Sequence, residues 1–226
     1  MPAPNCTAIL VAAGSSRRMG LDKLAWPLAG VSVLRRSLDA LLAAEAIAAV
    51  VVVCPPDRWQ LLDDGLAFSK PVARVDGGAS RQESVAKGLA AVVSSCRLVA
   101  VHDAARPLVS PADIDRCVAA AIEHRAAALA RRATETMQRA DEADFSAGLV
   151  SREHLWCMET PQVFETALLR AACAVVAARG LFATDEVSAV QALGERVKFI
   201  ESRHPNVKIT TPADLALAEA ILKSTP

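Results

Sequence analysis

Short aliphatic runs recur along this chain, each closed by a polar loop and most followed by a stretch of helical periodicity. Few folds accommodate that alternation. Runs of this length bounded by glycine or proline read as strands buried on both faces of a parallel sheet. Strands are expected at 7–12, 48–54, 71–75, 98–102, 126–130 and 196–201, and helices at 33–44, 57–64, 81–94, 111–125, 164–179, 185–193 and 211–223. In the first helix Leu34, Leu38, Leu41 and Leu42 share one face while Arg35, Arg36 and Asp39 take the other. The expected architecture is α/β: a doubly wound, mostly parallel sheet with right-handed crossovers. At 226 residues one domain is the simplest arrangement. Residues 131–154 stand apart, polar and weakly periodic, and long irregular segments in compact domains are usually functional or disordered.

The chain carries 25 basic and 25 acidic residues, so no global field draws nucleic acid or an anionic membrane, and any anion must be met by a local cluster. Hydrophobic residues make up 53 % and aromatics 4 %, an alanine- and valine-rich interior that suits helices packed closely on strands. The six cysteines are widely spaced with no C-x-x-C pair, the N-terminus lacks a signal core, and no apolar run reaches membrane length. A soluble protein of the reducing cytoplasm is expected.

Three polar loops follow expected strand ends and should meet on one edge of the sheet, where open α/β sheets bind ligands. In the first, Ala12, Ala13 and Gly14 leave the backbone N–H groups open to close approach, and Arg17, Arg18 and Lys23 add positive charge, a combination suited to a polyphosphate. Neither G-x-x-x-x-G-K-[ST] nor G-x-G-x-x-G is present, which argues against a kinase-type or dinucleotide loop. The second, Asp76-Gly-Gly-Ala-Ser-Arg81, has two glycines and opens a helix, either for a tight turn or to accept an anion. The third, Asp103-Ala-Ala-Arg-Pro107, holds Asp103 and Arg106 as an internal ion pair or as contacts to substrate oxygens and a hydrated Mg²⁺. Thr160-Pro-Gln162 and Thr184-Asp-Glu186 read by default as helix starts, and Lys208 as an exposed lysine on a short strand. The four histidines lack zinc-ligand spacing and no serine sits in G-x-S-x-G, so no metal site in the protein and no covalent nucleophile is assigned.

Taken together these blocks resemble the 2-C-methyl-D-erythritol 4-phosphate cytidylyltransferases of non-mevalonate isoprenoid synthesis. The blocks are A-A-G-x-x-R-R-M at 12–19, Asp76-Gly-Gly near Arg81 and Ser84, Val101-His-Asp-Ala-Ala-Arg-Pro107, Glu135-Thr-Met137, Thr160-Pro-Gln162, Thr184-Asp-Glu186 and Val207-Lys-Ile-Thr210. The first is shared by many nucleotidyltransferases, whereas the third and the Thr-Pro-Gln block, in this order, are far more specific. The resemblance implies a Rossmann-like nucleotidyltransferase fold with a protruding arm at about 132–154 that embraces a second subunit, hence a homodimer. It implies that Arg18, Lys23, Arg152 and Lys208 carry catalysis. CTP would be held by Ala12, Ala13, Gly14, Gly78, Ala79, Ser84, Asp103, Ala104 and Lys208. The sugar-alcohol phosphate would be held by Asp103, Arg106, Thr136, Arg152 and Thr184, with Mg²⁺ bound mainly through the nucleotide phosphates. The chain departs from the family pattern at Val11, where proline is common, at Asp22, which precedes Lys23 in place of proline, and at Ala79, where an acidic residue is frequent. A pentitol-phosphate or molybdenum-cofactor nucleotidyltransferase, or a nucleotide-binding regulator without activity, shares part of the same signals.

Overall fold

The structure is a computed structural model that describes residues 5–14, 22–62 and 67–224. Seven strands form one sheet: β1 (Cys6–Val11), β4 (Ile47–Val53), β5 (Val72–Val75), β6 (Leu98–Asp103), β7 (Ala126–Arg132), β10 (Trp156–Glu165) and β11 (Lys198–Glu201). Their order is β11-β7-β10-β6-β1-β4-β5. Every neighbouring pair is parallel except those made by β10, which runs antiparallel to both β6 and β7. Side chains alternate across a strand, so β1 feeds two cores. Ala8 and Leu10 join Leu34 and Leu38 of α1 (Val33–Ala43) and Ile114 of α4 (Pro111–His124) on one face. Ile9 joins Val85 and Leu89 of α3 (Arg81–Ala91) and Leu169 of α5 (Thr166–Ala178) on the other. The closing helix α7 (Pro212–Ser224) covers the first face through Leu215 and Ala218.

The strand register sets the site. Val11 lies level with Val53 on one side and Asp103 on the other, and Val53 lies level with Val75, so β1, β4, β5 and β6 end together and release their loops on one edge. The expected convergence of the loops at 13–23, 76–81 and 103–107 follows from this register, for the residues that are described.

Several expected elements differ. The helix at 57–64 is the short α2, Pro56–Trp59, and residues 63–64 lie outside the described set. The helix expected from 164 begins at Thr166, because Thr160 to Phe164 belong to β10 and not to a helix start. A proline, a glutamate and a glutamine inside Trp156–Glu165 argue against a central strand. The fold accommodates them with a register shift between Met158 and Gln162, where Pro161 has no N–H to place. Glu159 takes Ser202 Oγ at 2.6 Å, and Gln162 Nε2 donates to Asp185 Oδ2 at 3.0 Å. Residues 131–154 are also more ordered than their composition suggests. After β7 the chain makes the hairpin β8 (Met137–Ala140) and β9 (Ser146–Val150), which pair with each other and not with the main sheet. A second small hairpin, β2 (Pro27–Leu28) with β3 (Val31–Ser32), precedes α1. Residues 206–210 are not a strand: the segment crosses to the site as irregular chain, anchored where Ile209 N–H donates to Ala105 O at 2.7 Å.

Candidate active site

Where the three loops and the 206–210 segment meet, they enclose a cleft of about 540 Å³ lined by Ala13, Gly14, Lys23, Gly78, Ala79, Arg81, Ser84, Asp103 and Lys208, among others. Its floor is built by close backbone approach. A Cβ on Gly77 would come within 2.3 Å of Ala13 Cβ, so the first and second loops touch only because that position is glycine. The N-terminus of α3 is closed on itself. Gly78 N–H donates to Ser84 Oγ at 3.0 Å, Ala79 N–H to Glu83 Oε2 at 2.9 Å, and Ser80 Oγ accepts from Glu83 N–H at 3.1 Å. That is the reciprocal satisfaction of a capping box, shifted by one residue.

The same cleft carries a chain of alternating charges. Glu186, buried at the start of α6 (Glu186–Gln191), takes both ends of the Arg81 fork at 2.7 and 2.9 Å. Arg81 Nε donates to Asp103 Oδ1 at 3.0 Å, and Lys208 Nζ donates to Asp103 Oδ2 at 2.6 Å. Burial alone would raise the Asp103 carboxyl, but Arg81 and Lys208 outweigh it and hold the group well below the usual carboxylate range. Burial likewise disfavours the Arg81 cation, and Glu186 and Asp103 reverse that, so Arg81 stays charged. Burial pushes the Glu186 carboxyl up, with Arg81 opposing. Lys23 Nζ reaches Ile209 O at 2.7 Å, so Lys23 and Lys208 border one cleft through the same segment.

Beneath Asp103 its backbone N–H donates to Thr160 Oγ1 at 3.1 Å, and that hydroxyl lies 2.9 Å from His102 Nδ1. The Arg106 carbonyl can only accept, so His102 Nε2–H donates to it at 3.2 Å, and Nδ1 of the neutral ring then accepts the Thr160 hydroxyl proton. Burial pushes the His102 pKa down to about 4 although Asp103 opposes, and the ring is neutral. The specific block Val101 to Pro107 is thereby tied to the Thr-Pro-Gln block of β10.

Not every expected residue borders the cleft. Ala12 and Ala104 lie under it, 1 % and 0 % exposed, with Ala104 N–H donating to Val11 O. The Arg106 guanidinium is buried and donates to Asn206 O at 2.7 Å and Met158 O at 3.1 Å, beside a neighbouring cleft that shares Lys208. Thr184 lies 3.3 Å from Ser188 Oγ at the start of α6, outside the residues lining the main cleft. Thr136 and Arg152 flank the β8–β9 hairpin, where Arg152 Nη1 donates to Thr134 O at 2.5 Å. Arg17 and Arg18 lie outside the described residues. Glu186 and Arg58 carry contacts at the site that no sequence pattern assigned to them.

The carboxylates of the cleft do not form a cation cage. Both Asp103 oxygens and both Glu186 oxygens face cationic donors, and among the described residues no three His, Cys, Asp or Glu side chains cluster as ligands.

An open α/β sheet with small residues, a glycine pair and fixed cations at its strand ends suits a nucleotide polyphosphate, and the fold is that of the α/β nucleotidyltransferases. The comparisons refine that class. Residues 6–224 match the family profile described as 2-C-methyl-D-erythritol 4-phosphate cytidylyltransferase. The enzyme of that name from Prochlorococcus marinus (strain MIT 9313) is 40 % identical over 217 residues, 95 % of this chain and 96 % of the relative. The crystal structure of the Thermus thermophilus enzyme of the same name is 35 % identical at a TM-score of 0.78, covering 96 % of this chain and 98 % of the other. The 4-diphosphocytidyl-2C-methyl-D-erythritol synthase of Anaerococcus prevotii DSM 20548 superposes at 0.86 with 26 % identity, covering 96 % and 98 %. This chain belongs to the 2-C-methyl-D-erythritol 4-phosphate cytidylyltransferase family.

Proposed function

We propose that this protein joins CTP to 2-C-methyl-D-erythritol 4-phosphate, giving 4-diphosphocytidyl-2-C-methyl-D-erythritol and pyrophosphate in non-mevalonate isoprenoid synthesis. One observation carries the reading: Lys23, Lys208 and the Arg81–Asp103 pair share a cleft that is otherwise lined largely by small residues. The acceptor phosphate is already an anion at neutral pH, so its attack on the α-phosphorus needs no general base. The obstacle is repulsion between two phosphates and charge building up in the transition state, which preorganised cations oppose without reorganising. Lys23 and Lys208 stand where they can meet phosphate oxygens, and Arg18 belongs to the same loop by sequence. Asp103, fixed between two cations, is a rigid acceptor for a substrate hydroxyl. Ala13, Gly14, Gly78, Ala79 and Ser84 offer the nucleotide a wall without bulk.

A divalent ion, Mg²⁺ in this reading, supplies neutralisation of the triphosphate when bound. The cleft's carboxylates are engaged by cations, so the ion would be carried mainly by the nucleotide's phosphate oxygens. Thr136 and Arg152 complete the acceptor site from a second copy of the chain, through the arm at 132–154. All six cysteines are free thiols, and no helix among the described residues is long and apolar enough to cross a membrane, which fits a cytoplasmic reaction.

The test is pyrophosphate release with CTP and Mg²⁺ against a panel of alditol phosphates, with ATP, GTP and UTP as controls. Turnover that prefers CTP and the methylerythritol phosphate is expected. A preference for a pentitol phosphate, or CTP binding with no release, would replace the reading.

A further inference from the structure

Arg58 enters from the short helix α2, after β4, and its guanidinium is buried at 9 % exposure under the first loop. Nη1 donates to the carbonyls of Ala12 and, at 3.1 Å, of Gly14. Nε and Nη2 donate to Asp22 Oδ2 at 3.1 and 3.0 Å. One planar fork therefore joins the outgoing end of the loop to its returning end, immediately before Lys23. Across a trans peptide the N–H points opposite to the preceding C=O. Holding the Ala12 carbonyl on Arg58 thus turns the Ala13 N–H the other way. Among the described residues nothing accepts from that N–H, and Ala13 lines the cleft.

We propose that Arg58, with Asp22, is a positioning residue for the nucleotide: it clamps the two ends of the first loop so that the Ala13 amide and Lys23 face the triphosphate of CTP. The inference rests on the CTP reading above and adds residues outside its list of contacts. The guanidinium does not touch substrate; it acts through the backbone. A lysine keeps the charge, but its three donors sit on one nitrogen and do not reproduce the planar fork's spread of contacts.

The test compares wild type, Arg58→Lys, Arg58→Met and Asp22→Asn, each checked for an unchanged circular dichroism spectrum. The readouts are the calorimetric Kd for CTP and the separate KM values for CTP and the acceptor phosphate. Arg58→Met should raise both the Kd and the KM for CTP at least ~10-fold, the loss of one charge-assisted anchor. Arg58→Lys should fall between it and wild type, and the KM for the acceptor should stay within about threefold of wild type. Asp22→Asn, at a half-exposed side chain that does not threaten the fold, should raise the KM for CTP in the same direction. Equal losses toward both substrates, or a CTP Kd unchanged in Arg58→Met and Asp22→Asn, would overturn the clamp while leaving the CTP reading intact. Failure of the wild type itself to bind CTP would overturn both.

Discussion

Lys208 shows how one side chain couples two parts of the site. Its amine holds Asp103 Oδ2 while it borders both the main cleft and its neighbour. Substituting Lys208→Met should cost about 10²–10³-fold in kcat, the scale seen when one preorganised charge-stabilising donor is lost, and steady-state pyrophosphate release reads it directly. His102 is sensitive to proton concentration for a different reason. Its ring is buried and neutral, with the pKa lowered to about 4. The unfolded chain protonates the same ring near pH 6.5, so between those values the unfolded state binds more protons and the fold loses stability as pH falls. The contribution is complete above pH 6.5 and declines by roughly 3 kcal/mol on acidification to about pH 4. Asp103, whose carboxyl is depressed, adds its own loss as pH falls through the ordinary aspartate range, from about pH 5 downward. Urea denaturation at pH 7, 6, 5 and 4 should therefore show a steady fall in midpoint, flattened over that window in His102→Gln.

Among the elements, α3 meets the sheet at a glycine. A Cβ on Gly88 would lie 2.6 Å from Ile9 Cγ2 and 2.9 Å from Val53 Cγ2, both in the second core. Alanine there gains about 1 kcal/mol of helix propensity but must push apart two β-branched side chains held by the sheet, at a cost of about 1–3 kcal/mol. Gly88→Ala should be destabilising by about 1 kcal/mol, with the urea m-value unchanged. The strands and helices most legible in the sequence are those whose stability is local in pattern: β1, β4, β6 and α1 announce themselves by apolar runs or helical spacing. β10 does not, because Glu159, Pro161 and Gln162 are tolerated only through distant partners such as Ser202 and Asp185. The site divides the same way. Loops that follow buried strands could be placed on one edge from sequence, whereas Arg58 reaches its loop across 36–46 residues and leaves no periodic or motif signal. Glu186 was visible as part of a capping pattern and of a family block, but its grip on Arg81 depends on the approach of α6 to α3.

At the scale of the whole molecule, the β8–β9 hairpin is an element without a platform. It pairs with itself alone, and Phe145 and Leu149 are each 71 % exposed. A two-stranded hairpin is marginal in water by itself, and burying its two large apolar side chains against another molecule would stabilise it. On the reading proposed above, a second copy of this chain would cover the hairpin and bring Thr136 and Arg152 to a cleft. Sedimentation should then give a dimer for the wild type and a monomer for the double variant Phe145→Ser, Leu149→Ser. Mixing separates an arm that works in its own subunit from one that works in its partner. Lys208→Met spoils its own cleft but carries an intact arm, and Arg152→Ala has an intact cleft but a defective arm. If arms are exchanged, a mixed dimer contains one cleft with both residues intact. Equal amounts, unfolded and refolded together, should then recover about a quarter of wild-type activity from two inactive proteins, since half the dimers are mixed and half their sites are whole. If each arm serves its own cleft, every site in the mixture keeps a defect and no activity returns.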